Sequence, residues 1–293
     1  MPSTRDIRRR IKSVKNTAQI TKAMQMVAAS KMRRAQQAAL AGRPYATLMN
    51  KVLAHVTTNA GDFRHPLLEV RNSTGKRAVI VISSDKGLAG ALNSNLTREV
   101  AKLDKDKTVH IAAGKKGAQF ISRTKRNLAA EFTYKDAPQF AEARAISKFA
   151  QDLFLKGEVD AVDILFTNFI STLNQKPEIR PLLPVGRIRG VSAGLEGEHH
   201  GEDLTTGATE YIFEPGAEAV LGSLLPHYLN FQVFQILLEA KASEQSARMV
   251  AMKNATDNAK QLIKDLTLEY NKLRQANITK ELLEITSAAM AMS

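Results

Sequence analysis

Residues 3–40, STRDIRRRIKSVKNTAQITKAMQMVAASKMRRAQQAAL, place Ile7, Ile11, Val14, Ala18, Thr21, Gln25, Ala28, Met32 and Ala35 at alternating spacings of four and three. That alternation is a heptad seam and predicts a long helix lying against another helix. The middle of the seam is small or polar, so a partner helix can come close without much apolar attraction. Ser3 and Thr4 are candidate N-caps, with Asp6 in the first turn. Gly42 and Pro44 should kink or pause the helix, and an amphipathic stretch over 45–58 continues it.

From Lys76 the period changes. RAVIVISSD (77–85) is an apolar run of strand length, followed by a Gly/Asn loop and a helix near 92–103. TVHIAAG (108–114) predicts a second strand and then a short helix; NLAAEFTY (127–134) predicts a third strand, with a helix over 139–155. AVDILFTNFI (161–170) reads as a fourth strand, and EIRPLLPV (178–185) as an extended segment whose prolines suit an edge or a strand end. Strands alternating with helices predict an α/β domain with a largely parallel sheet, Rossmann-like in layout. Residues 190–207, rich in Gly, Glu and His, read as a loop.

Over 218–292 the only helix breakers are Gly222 and Pro226. Apolar positions include Leu221, Leu225, Tyr228, Phe234, Leu238, Ala242, Met249, Met252, Ala255, Ala259, Leu262, Leu266, Tyr270, Leu273, Ile278, Leu282 and Ile285. Some seventy residues of helix span roughly 100 Å, against an average helix of ~11 residues. No α/β domain of this size covers such a rod. Its partners must include the N-terminal helix and something outside the chain. The expected architecture is α/β plus a long antiparallel coiled coil: an N-terminal shaft helix over 1–59, an inserted α/β foot domain over 75–190, a loop and foot connection over 191–216, and a C-terminal shaft helix over 217–293.

Composition narrows the chemistry. With 44% hydrophobic and 24% charged residues the chain is globular in character. It has no Cys, which excludes disulfides, thiol catalysis and Cys-based metal sites. No apolar run reaches the ~18 residues of a membrane span, and the charged start lacks the apolar core of a signal peptide, so a cytoplasmic compartment is expected. The net charge of +13 is uneven: residues 1–34 hold ten Lys/Arg against Asp6 alone, whereas 217–293 is balanced at eight of each sign. An acidic partner for the first helix is implied.

Specific motifs are few. SSDKGLAGALNSN (83–95) follows a strand and precedes a helix, where phosphates often bind, but neither GxxxxGK[ST] nor GxGxxG occurs in the chain. In AAGKKGAQF (112–120) Lys116 stands where a P-loop needs Ser/Thr. Both loops read as tight strand-to-helix turns. His199 and His200 in EGEHHGED sit among carboxylates, yet adjacent residues rarely share one metal ion. No cofactor, metal site or catalytic arrangement is expected. Nucleic-acid binding by the basic helix has the phosphate-contacting cations but lacks interleaved aromatics or a Leu-rich dimer seam.

Four stretches, IRRRIKSVKNTAQITKAMQMVAASKMRRAQ, SSDKGLAGALNSN, SEQSARMVAMKNATDNA and ITKELLEITSAAMAM, together resemble the gamma subunits of bacterial F-type ATP synthases, in that family's order and over essentially the whole chain. Ala288 stands where the family pattern has Gly, and Ala89 and Ala91 replace the usual Cys and a Gly of the loop. The dithiol switch of plastid relatives cannot operate in a chain without Cys. The resemblance implies a non-catalytic rotor shaft: paired terminal helices inside three alpha and three beta subunits, and an α/β foot with the epsilon subunit on the c-ring. Such a shaft couples ring rotation to ATP synthesis or hydrolysis at the alpha/beta sites. It also implies a peripheral location on the cytoplasmic face of the bacterial inner membrane, membrane contact only through the complex, and no nucleic acid. By the same resemblance Met24 and Arg248 face an acidic lever segment of beta. Arg274, Gln275, Thr279 and Glu281 form a polar set meeting a beta loop, and Tyr211, Phe213 and Glu214 touch the c-ring loops. Alternative readings are a basic coiled-coil nucleic-acid-binding protein and a static scaffold. Residues 285–293 carry no charged side chain; the resemblance places this tip in an apolar sleeve, where it turns without breaking buried ion pairs.

Overall fold

A computed structural model describes residues 3–59, 65–71, 73–185, 214 and 216–292. The elements are α1 (Thr4–Ala41), α2 (Arg43–Asn59), β1 (Arg77–Ile82), α3 (Leu92–Lys102), β2 (Thr108–Ala113), α4 (Lys115–Arg123), β3 (Leu128–Phe132), α5 (Phe140–Leu155), β4 (Ala161–Phe169), β5 (Gln175–Leu183) and α6 (Ala217–Met292). Residues fall into two compact units, one of Met1–Val27 with Met249–Ser293 and one of Ala28–Arg248.

In the first unit α1 and α6 pair antiparallel. Ser3 caps α1, its Oγ accepting from the Asp6 amide at 3.2 Å. Every seam position from Ile7 to Gln25 is buried or half-buried, and the residues between them, apart from Met24, are exposed. At the polar centre of the seam, the Thr21 and Thr256 hydroxyls meet at 2.7 Å, and Thr256 also donates to the Met252 carbonyl at 2.8 Å. With Thr21 opposite Thr256, antiparallel counting brings the start of α1 level with Leu273. Burial along α6 stops at Leu273, and residues 274–290 are exposed on every face. The apolar positions Ile278, Leu282 and Ile285 therefore have no covering helix among the described residues. Leu262, expected on the buried stripe, is 44% exposed, and Ile263 is half-buried in its place. The i, i+4 step from Ala259 carries the stripe through Ile263, one position later than the pattern of Leu residues implied.

The second unit is a five-stranded sheet in the order β3-β2-β1-β4-β5. β1, β2, β3 and β4 are parallel, and β5 is an antiparallel edge strand paired to β4. Its prolines, Pro177 and Pro181, sit on this edge, where missing amides cost little. Val79 and Val81 point to one face with Leu96 and Val100 of α3 and Ala118 and Ile121 of α4. Ala78, Ile80 and Ile82 point to the other with Ile146, Ala150 and Phe154 of α5, Met49 and Leu53 of α2, and Leu221, Leu225, Tyr228 and Leu237 of α6. Helices on both faces make this a doubly wound sheet.

Candidate functional site

The loops at the carboxyl ends of β1 and β2 come first, because α/β folds bind ligands there. Several of their donors are spent internally. Ser83 Oγ donates to the Gly114 carbonyl at 3.1 Å and accepts from the Gly117 amide at 2.7 Å. The first amides of α4 go to the preceding loop: Lys115 N to Asp85 Oδ1 at 2.9 Å and Lys116 N to the Ser84 carbonyl at 3.1 Å. Asn93 closes the same turn on Ser84 at 2.8 Å. Gly114, at φ 109°, shapes the strand-to-helix turn between β2 and α4.

The longest buried polar stretch of the second unit lies on α6. Residues 235–246 are twelve consecutive buried positions, more than three turns enclosed all round. They include Gln235, Glu239, Lys241, Ser243, Glu244, Gln245 and Ser246. Lys241, 4% exposed, bonds Glu244 Oε2 at 3.0 Å and Asp136 Oδ1 at 3.1 Å and lies over the Tyr134 ring at 5.4 Å. Asp136 also takes Lys31 of α1 at 2.5 Å. The Lys31 bond first, then Lys241, outweighs burial and holds the Asp136 carboxyl at about 2. Glu244 is completed by Arg248 at 2.7 Å, whose guanidinium reaches the Lys86 and Gly87 carbonyls at 3.4 and 3.3 Å. Tyr134 donates to the Ser83 carbonyl at 3.0 Å, and burial first of all raises its hydroxyl well above the usual range.

Elsewhere on the same helix Glu239 meets Arg180 of β5 at 3.5 Å, while Arg180 is held more closely by Glu178 at 2.6 Å. Burial lifts Glu239 to about 7, against the Arg180 charge that lowers it, and its Oε1 has no hydrogen-bond partner among the described residues. A carboxyl raised on folding binds its proton more tightly in the native state. Its stabilising contribution is full below the ordinary carboxylate range and is lost as pH rises towards 7, by about 3 kcal/mol in all. Glu239→Gln should therefore flatten the decline of thermal stability between pH 5 and pH 8. A decline as steep as in the parent chain would show that another group carries it.

The seven described sequence-predicted contact residues fall in both units. Met24 is half-buried on α1, beside the seam of the first unit. Arg248 belongs to the second unit and is engaged with Glu244 and the loop carbonyls rather than projecting freely. Arg274, Gln275, Thr279 and Glu281 all stand on the exposed run of α6. Arg274 and Glu281, seven residues apart, share one row; Gln275 and Thr279 share another, where the Thr279 hydroxyl donates to the Gln275 carbonyl at 3.0 Å. Glu214 is an exposed bend before α6, and Tyr211, Phe213, His199 and His200 lie outside the described residues. On α1 the cations Arg5, Arg8, Arg9, Lys12 and Lys15 border one open groove with Ile11. The sequence reading missed the buried network: Lys241 and Glu244 at i, i+3 were a signal, but nothing marked Asp136 as their partner.

These helices, bare on their outer faces, define an assembly subunit whose surface other chains complete. The comparisons agree. Residues 3–292 match a family model described as ATP synthase. The "ATP synthase gamma chain" of Opitutus terrae is 50% identical over 296 residues, covering 99% of each chain; that of Methylacidiphilum infernorum is 47% identical over 100% of both. The chain belongs to the ATP synthase gamma chain family. Among solved structures, the central stalk/c-ring of Tetrahymena thermophila mitochondrial ATP synthase matches with a TM-score of 0.60 at 27% identity, covering 80% of this chain and 99% of that one. The rotor of Euglena gracilis mitochondrial ATP synthase shares the fold with a TM-score of 0.64 at 20% identity, covering 94% and 98%.

Proposed function

We propose that this chain is the central-stalk rotor subunit of a bacterial F-type ATP synthase, coupling c-ring rotation to ATP synthesis or hydrolysis at alpha/beta catalytic sites. Catalysis belongs to those sites; this subunit transmits motion. One observation carries the reading most strongly. From Arg274 to Met290, α6 is exposed on all sides, and Ile278, Leu282, Leu283 and Ile285 are among its exposed apolar side chains. Residues 274–292 amount to roughly 28 Å of helix. An exposed helix of that length, carrying Ile278, Leu282, Leu283 and Ile285 and ending in an uncharged tip, needs a surrounding protein. A sleeve formed by three alpha and three beta subunits supplies it, and an uncharged tip turns there without desolvated ion pairs to break.

The remaining assignments follow from this reading. The cationic row Arg5, Arg8, Arg9, Lys12 and Lys15 and the polar set Arg274, Gln275, Thr279 and Glu281 face the hexamer. Exposed ion pairs contribute only ~0–1 kcal/mol each, so they guide rotation without locking it. Met24 and Arg248 face an acidic lever of beta. Tyr211, Phe213 and Glu214 form the foot on the c-ring, beside epsilon. No described helix is long and apolar enough to cross a membrane; the subunit is held peripherally at the cytoplasmic face of the bacterial inner membrane through its complex.

The test is Met24→Lys in the membrane-bound enzyme. A cation at this half-buried, partner-facing position should lower proton pumping per ATP hydrolysed by at least about threefold, with little change in the amount of assembled complex. An unchanged ratio would remove Met24 from the contact.

A further inference from the structure

Residues 235–246 of α6 pose a physical problem. A helix enclosed on every side is normally apolar, yet this one buries two carboxylates and a lysine at Glu239, Lys241 and Glu244. Buried ion pairs are poor sources of stability compared with apolar packing, and their best-attested use is to fix register. The arrangement around the helix shows which register. Glu239 and Ser246 are seven residues apart and share one side. Lys241, Glu244 and Arg248 lie about 140–200° around the axis from Glu239. The first side is held by Arg180 of β5 and by the β4–β5 hairpin, where Ser246 Oγ donates to the Thr172 carbonyl at 3.0 Å. The opposite side is held by Asp136 after β3, which carries Lys31 of α1, and by the Lys86 and Gly87 carbonyls after β1.

We propose that 235–246 is a torque collar: two opposed polar jaws of the sheet unit grip α6 and fix its rotation about its own axis. Apolar contact is non-directional and tolerates sliding, whereas each of these hydrogen bonds has a narrow range of distance and angle. Turning α6 within its sheath would have to break both jaws together. Charges alternate along the second jaw from Lys31 through Asp136, Lys241 and Glu244 to Arg248. A slip of one residue sets Ala240 or Ala242 against Asp136 and leaves its charge unpaired by α6, and a slip of three residues can set the like charge of Glu244 there. These are positioning residues, and the inference rests on the rotor reading above.

The experiment uses the complete enzyme in sealed vesicles, measuring ATP-driven acidification and ATP hydrolysis together, with the assembled complex quantified by mass. Lys241→Met with Glu244→Met breaks the Asp136 contact of the second jaw and the Glu244 anchor of Arg248 at similar side-chain volume. Protons pumped per ATP hydrolysed should fall at least about twofold in the assembled variant. Should that variant fail to assemble, Asp136→Asn carries the test, because Asp136 is half-exposed and its loss leaves the core intact; it should lower the ratio in the same direction. Parent enzyme that pumps, with assembled variants that keep its ratio, would overturn the collar and leave the rotor reading standing. Parent enzyme that does not pump with this chain in place would overturn the rotor reading itself.

Discussion

Gly114→Ala should destabilise the sheet unit by more than about 3 kcal/mol, a large share of the stability of a typical folded domain. Gly114 ends β2 at φ 109°, a conformation that L residues rarely adopt. An added Cβ would lie 2.1 Å from the Ser83 carbonyl oxygen, a backbone atom that cannot step aside. Moving it would also disturb the Tyr134 hydroxyl that donates to the same oxygen. Gly157→Ala is the control. Its φ is 75° with nothing within 4 Å of the new Cβ, so only the backbone cost of about 1–2 kcal/mol applies. Urea midpoints of the two variants separate strain from collision. Equal losses would show that the Ser83 contact contributes nothing.

Phe154→Ala is the second large effect, expected at 3–5 kcal/mol. Phe154, near the end of α5, is fully buried against the sheet. The Arg71 guanidinium sits 4.9 Å from its ring centroid and donates to its carbonyl at 2.8 Å. Truncation leaves a cavity and strips one face of Arg71. Phe154→Leu refills most of the volume and should recover more than half of the loss, as read by thermal unfolding. A Leu variant no more stable than the Ala variant would show that ring-specific contact dominates over volume.

Much of this architecture was legible because it rests on period. The seam on α1 was readable even through Thr21 and Gln25, since spacing rather than hydrophobicity marked them. The edge position of β5 followed from its prolines, which a central strand would not tolerate. Where α6 loses its cover was less legible: Ile278 and Leu282 look like further stripe residues, and only the Thr21–Thr256 register shows that α1 has ended. The collar was invisible for a different reason. Lys241 and Glu244 resemble an ordinary surface pair in sequence, and their burial depends on Asp136 and Lys31, more than a hundred residues away. The partner-contact residues were legible only through family resemblance, since exposed polar positions on a helix carry no local mark of what meets them.

The central claim is that α6 turns inside the hexamer. Because the chain has no Cys, a single Gln275→Cys on the exposed run of α6 can form one disulfide with a cysteine placed in the facing loop of a beta subunit, its formation followed by mass. The account predicts that ATP turnover falls to a few per cent of the uncross-linked enzyme, on the order of a hundredfold, and returns on reduction. Turnover that persists with the disulfide fully formed would mean that the helix stands still during catalysis, and the chain would be a static scaffold.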